Sequence, residues 1–257
     1  MTSVEHTRTR PDARAPWQRV ARSLLRDHAH LAAWFWGILA VVFVVGHLVA
    51  SALTGEHVSL TQFGVPSSVW FSFAVAITLF VTQLPLHLAA GRTRKAYIAG
   101  SLAAVPLVAA LHGLVYAAFV LVEWAVFRAG GWDHHAEGLR QVAGAGLGLF
   151  LYLVAVVVSG LLVAATYYRF GGWLGTVALP VTISPLLLAP AALGPDVTPA
   201  LSIRVGTDPL SITGQSFVPS LGGAITDGPL LPLIAVALAI TLFYLAVRRV
   251  PIWPARI

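Results

Sequence analysis

Residues 31–53 read LAAWFWGILAVVFVVGHLVASAL, a run with no Asp, Glu, Lys or Arg. A helix of this length is long enough to cross the ~30 Å hydrocarbon core of a bilayer. In water such a helix would have to be covered on every side. In lipid it needs only a backbone whose hydrogen bonds close within the segment, and a helix supplies that.

Further along the chain the pattern recurs at 65–90, 98–127, 142–167, 173–193 and 230–247. Over all 257 residues, 58% are apolar and 10% are charged. A soluble domain carries roughly a quarter charged residues, so this chain lacks the polar surface to face water all round. The expected fold is therefore all-α: six transmembrane helices over residues 31–250, with a long loop at 194–229. No segment is left over for a soluble catalytic domain of ordinary size.

Before the first span the character changes. Residues 1–16 are polar and hold Arg8, Arg10 and Arg14, which reads as a disordered cytoplasmic tail. In 17–30, helical spacing puts Trp17, Val20, Ala21, Leu24, Leu25, His28 and Leu31 on one face and Arg19, Arg22 and Arg26 on the other. That pattern predicts an amphipathic helix lying in the membrane interface ahead of the first span. The apolar run that follows exceeds the ~7–15 residues of a signal-peptide core, so no cleaved signal is expected.

Basic residues set the expected orientation. With the N-terminus inside, the cytoplasmic side holds Arg8, Arg10, Arg14, Arg19, Arg22, Arg26, Arg92, Arg94, Lys95, Arg169, Arg248, Arg249 and Arg256. The other side holds Arg128, Arg140 and Arg204. This asymmetry predicts both ends in the cytoplasm, with 251–257 as a short cytoplasmic tail. It also accounts for the net charge of +6 without a nucleic-acid partner. The chain has no cysteine, which excludes disulfides and thiolate chemistry. It also lacks a nucleotide-binding P-loop, a His-Glu-x-x-His pair and a Gly-x-Ser-x-Gly elbow.

A few polar residues fall in apolar surroundings. His47, His87 and His112 lie within spans at unequal depths, a poor match for two haem ligands, so hydrogen bonds to neighbouring helices are expected. His134 and His135, beside Asp133 and Glu137, read as a solvated outer loop in preference to a metal site. Glu123 is the one acid within an apolar segment. Two readings stay open for it: an interfacial ion pair with Arg128, or a place on a substrate path. Gly144 and Gly148 fall on one helix face and predict close helix or subunit packing. Pro180, Pro185 and Pro190 predict a broken fifth span. Within the long loop, 201–205 and 210–213 have strand character.

The turn between the second and third spans carries the most information. It reads Gly91-Arg92-Thr93-Arg94-Lys95-Ala96-Tyr97. It resembles the Gly-x-Thr/Ser-Arg-Arg/Lys-x-Phe/Tyr turn of permease subunits in type-2 ABC exporters, where it likewise closes span 2 and opens span 3. The six spans, the preceding interfacial helix and the large segment between spans 5 and 6 are similar to that family across the whole chain. At the level of motif the resemblance covers residues 91–100.

The resemblance implies a membrane-spanning permease in a bacterial cytoplasmic membrane, exporting a substrate by alternating access. It implies a second copy or a related permease as partner, and a separate ABC-type ATPase on the cytoplasmic face. ATP and Mg would bind that ATPase, leaving this chain with no cofactor or catalytic centre of its own. Gly91, Arg92, Thr93, Arg94 and Lys95 would form the coupling turn. The alternatives are an intramembrane haem protein or enzyme using the span histidines, and a non-catalytic assembly subunit.

Overall fold

A computed structural model describes residues 15–55, 57–134, 136–193, 202–205, 212–216 and 230–248. Of the tail expected at 1–16, residues 1–14 lie outside the described residues, and Pro16 already opens the first helix; the tail at 251–257, most of the 194–229 loop and His135 also lie outside them.

Helix α1 (Pro16–Thr54) is a single helix of 39 residues. The separate interfacial helix expected at 17–30 is instead its first turns. The physical reason lies in the composition of 17–36, which contains neither Gly nor Pro to break the backbone. The amphipathic face is also covered by protein. Val20, Ala21, Leu24 and His28 are buried, and Val20 lies against Gly100, where an added Cβ would come within 2.6 Å of it. Asp27 accepts a hydrogen bond from Gln83 at 2.7 Å. The helix ends at Gly55 in the left-handed conformation, its N–H bonded to the Ser51 carbonyl.

A short 3-10 helix (Thr61–Phe63) leads into α2 (Gly64–Ala89), and a tight turn leads to α3 (Arg94–Gly130). Helix α4 (Leu139–Val177) is interrupted at Gly171, whose backbone is not helical. The region expected as a fifth span is broken, as its prolines predict. It is divided among the end of α4, the single turn α5 (Leu179–Thr182) and α6 (Ser184–Leu193), with Pro180 and Pro185 each second in its helix. The interruption frees backbone donors, and Ser159 of α4 accepts the Leu186 N–H at 3.2 Å. Strands β1 (Ser202–Val205) and β2 (Ile212–Ser216) pair antiparallel, with Arg204 opposite Thr213. Helix α7 (Leu230–Val247) closes the bundle, and Arg169 of α4 donates to the carbonyls of Leu245 and Ala246 near its end.

Among the described residues, four helices are long and apolar enough to cross a membrane: α1, α2 with its 3-10 lead, α3 and α4. Ile38, Val41, Val42, Val44, Val45, Leu48 and Val49 of α1 each expose more than half their surface. Such a continuous apolar face belongs in lipid, and the fold is that of a multi-pass helical membrane protein.

The interior divides into two stacked clusters. One joins Val20 and Leu24 of α1, Phe80 and Leu84 of α2, Tyr97 of α3, Leu161 and Ala165 of α4, and Phe243 and Val247 of α7. It therefore gathers the start of α1, the end of α2, the start of α3 and the end of α7 at one end of the bundle. The other joins Trp36, Val69, Tyr116, Leu149 and Leu186.

Candidate functional site

The turn after α2 is built by two residues. Gly91 has φ of 75°, a left-handed conformation that lets the chain leave α2 sharply. Thr93 then caps α3, its hydroxyl accepting the Ala96 N–H at 3.2 Å. Arg92 donates to Nδ1 of His87 at 2.9 Å, tying the turn back to α2. Gly91, Thr93 and Lys95 are exposed, while Arg92 and Arg94 are half-buried. The result is a fixed backbone with basic side chains at its tip, next to the start of α1 and the end of α7.

At the opposite end, Glu123 of α3 holds the segment leading into α2. Its carboxylate accepts from Ser59 Oγ at 2.7 Å, Thr61 Oγ1 at 2.5 Å, Leu60 N at 2.9 Å and Thr61 N at 3.4 Å. The two N–H groups belong to the start of the 3-10 helix, where the helix dipole favours a negative charge. His134 supplies a further bond at 3.0 Å. Its Nδ1 accepts the Ala136 N–H at 2.9 Å, so the Nε2 proton points at Glu123.

Arg128 does not pair with this carboxylate. Its guanidinium lies over the Trp124 ring, 5.2 Å from the centroid. With five donors converging on Glu123, its oxygens are occupied by the protein's own loop. That makes it a clamp in this conformation. A cavity of about 300 Å³ adjoins it between α1 and α3, walled mainly by Phe43, Val44, Phe119, Val122 and Val126.

The three span histidines have separate surroundings. His47 contacts the Val58 carbonyl at 3.2 Å and stacks near His57, which itself stacks on Trp132 at 3.5 Å. His87 serves the basic turn. His112 lies between the two ends, 0% exposed, with Nε2 at 3.0 Å from Nε2 of His28. Trp36 donates its indole N–H to His112 Nδ1 at 3.0 Å. No three His, Cys, Asp or Glu among the described residues form a group that could hold a metal.

The Trp36–His112–His28 chain has a fixed direction. An indole N–H can only donate, so His112 Nδ1 must accept and the His112 proton sits on Nε2. That proton is donated to His28 Nε2, which leaves the His28 proton on Nδ1. Protonating His112 as well would set an Nδ1–H against the Trp36 N–H. The chain therefore holds with both imidazoles neutral.

The glycine pair expected to pack does so only in part. Gly144 is exposed, with nothing within 4 Å of an added Cβ. The close approach is at Gly146, where a Cβ would sit 2.7 Å from Ala117 Cβ and 2.8 Å from the Gly113 carbonyl. Gly148 is buried on α4. Gly144 and Gly148 do share a stripe, but that regularity along one helix does not reveal which stripe meets a neighbour.

Sequence reasoning did not single out Ser59, Thr61, Trp36 or the pairing of His28 with His112. One signal is present in hindsight: Tyr97, Ser101, His112, Tyr116 and Glu123 lie along one stripe of α3 at heptad-like spacing. Comparison with protein-family models, curated proteins and solved structures finds no match to this chain.

Proposed function

We propose that this chain is the membrane-spanning permease subunit of an ATP-driven exporter, with a separate ATPase bound at the 91–95 turn. The observation that carries the reading is the form of that turn. A left-handed Gly91, Thr93 capping α3 and the His87–Arg92 bond make a stiff connection between two long helices. Exposed Lys95 and half-buried Arg92 and Arg94 give it a basic surface suited to an acidic groove. A push on a stiff turn is transmitted to α2 and α3 as rigid bodies, which is what coupling to alternating access requires.

The six-crossing topology belongs to the same proposal. The crossings are α1 to α4, the broken α5–α6 region and α7, with both ends on the cytoplasmic side of a bacterial inner membrane. The cluster that gathers the start of α1 with the end of α7 supports this arrangement. So does the concentration of Lys and Arg at that end. Two copies, or this chain with a related permease, would enclose the path.

The test is co-purification in mild detergent with mass spectrometry and an ATPase assay. A stoichiometric ABC-type ATPase should be recovered with the wild type and lost with Lys95→Glu combined with Arg92→Glu and Arg94→Glu. Lys95→Glu alone, at an exposed position, checks that the loss does not come from unfolding. Isolation of the chain alone, with no nucleotide hydrolysis, would overturn the reading.

A further inference from the structure

A small cavity of about 30 Å³ lies where α1, α2, α3 and α4 meet, lined by His28, Tyr97 and Ser101 and otherwise by apolar side chains. A water molecule needs at least about 10–15 Å³ of such space and two to four polar partners. The three polar residues are almost fully enclosed, at 2%, 0% and 2% exposure. Tyr97 Oη and Ser101 Oγ, one turn apart on α3, lie near enough to interact with each other, yet neither is placed in good hydrogen-bond geometry with any partner. Two hydroxyls so poorly paired beside one small cavity are unusual in a native interior, where buried polar groups are paired.

His28 lines the same cavity. The direction of the Trp36–His112–His28 chain leaves a proton on His28 Nδ1, and among the described residues nothing accepts it. The lining thus offers one imidazole donor and two hydroxyls. Each hydroxyl can either give or take a hydrogen bond.

We propose that this cavity is a binding site for one water molecule, which accepts the His28 Nδ1–H bond and bridges to Ser101 and Tyr97. The water closes a buried chain that runs Trp36, His112, His28, water, and then Ser101 and Tyr97. Trp36 and His28 belong to α1 and the other three residues to α3. The chain therefore fastens α1 to α3 at two levels through polar contacts in an otherwise apolar core. It also explains why hydroxyls occupy positions 97 and 101, where Phe and Ala would fit the apolar surroundings equally well. The assignment does not depend on the exporter reading.

Two measurements on the full chain in lipid nanodiscs test it. A structure fine enough to show ordered waters should reveal a peak within hydrogen-bond distance of His28 Nδ1, Ser101 Oγ and Tyr97 Oη. The two hydroxyls bonded to each other, with no peak, would sink the proposal. Thermal unfolding of Ser101→Ala and Tyr97→Phe gives an independent reading. Losing a bridged hydroxyl should lower the midpoint by ~3 °C in each case. Because both bonds end on the same water, the double variant should lose less than the sum. Orphaned hydroxyls with no water between them would behave in the opposite way, and their removal would leave the midpoint unchanged or raise it. Ser101→Ala deletes a single atom and so keeps the test clear of misfolding.

Discussion

Helices α1 and α4 are the same length, 39 residues, and nearly as apolar as each other, with mean hydropathies of 2.2 and 2.6 over their most apolar stretches. Yet 6% of the residues in that stretch of α1 are buried in the bundle, against 78% in α4. Hydropathy thus identifies what can cross a membrane and says little about what stands at the centre. The difference lies in side-chain size. The buried surface of α4 includes Gly146, Gly148, Ala155, Ser159, Gly160, Ala164 and Ala165, so neighbouring backbones can approach closely. Helix α1 presents Trp34, Ile38, Val41 and Val45 outward and buries one stripe, from Val20 and Leu24 through His28 and Ala32 to Trp36 and Phe43. In lipid, where apolar surface gains little from leaving the solvent, close packing decides which helix is central.

One substitution made in both helices tests this most severely. Gly146→Leu would force a side chain into a space where even a Cβ is 2.7 Å from Ala117. The cost should reach or exceed the ~1–3 kcal/mol typical of overpacking, because backbone would have to move. Gly37→Leu on α1 has nothing within 4 Å of its Cβ and should leave the unfolding midpoint where it is. Comparable losses from both would mean that α1 packs against something beyond this single chain, and would end the contrast drawn here.

The contrast also marks how far the sequence is legible. The segment expected at 65–90 is α2 within a residue, and that expected at 230–247 is α7, because uninterrupted apolar runs admit few alternatives. The broken fifth segment is legible because proline removes a backbone donor wherever it stands. The hairpin is legible in part: 201–205 is β1 almost unchanged, while the second strand begins two residues later than expected and runs further. The start of α1 is not legible, because an amphipathic pattern with arginines fits an interfacial helix and a buried helix face equally well. What decides between them is Gly100, eighty residues away from Val20. For Glu123 the sequence leaves open an ion pair with Arg128, its helical neighbour, or a place on a substrate path, and points to neither 59–61 nor His134, where its partners lie. Contacts between distant parts of the chain leave no local pattern.

The polar chain that fastens α1 to α3 gives the next largest effect. His112→Leu deprives both the Trp36 N–H and His28 Nε2 of their partner in a core that offers no replacement. Leaving buried polar groups unmatched costs ~1–3 kcal/mol each. The loss should concentrate in α1, since α4 keeps its own packing. Hydrogen exchange should therefore quicken along 24–40 and hold steady along 150–166. Equal acceleration in both would show that α1 is not a separately attached element.

Smaller effects are expected at the far end of the bundle, where Glu123 and Arg128 sit five residues apart on α3 with very different work to do. Glu123→Gln keeps an acceptor oxygen but gives up charge and half of the carboxylate's capacity, while five donors still converge there. Charge-assisted bonds are about twice as strong as neutral ones, so a loss of about 1 kcal/mol is a reasonable scale. It should appear as faster exchange of the Leu60 and Thr61 amides, the two that Glu123 caps. Arg128→Ala removes only a guanidinium resting on Trp124 at the surface and should leave those amides unchanged. Were Arg128→Ala to release 60–61 while Glu123→Gln did not, the ion pair read from the sequence would be the true arrangement. The loop would then owe its position to something other than the carboxylate clamp.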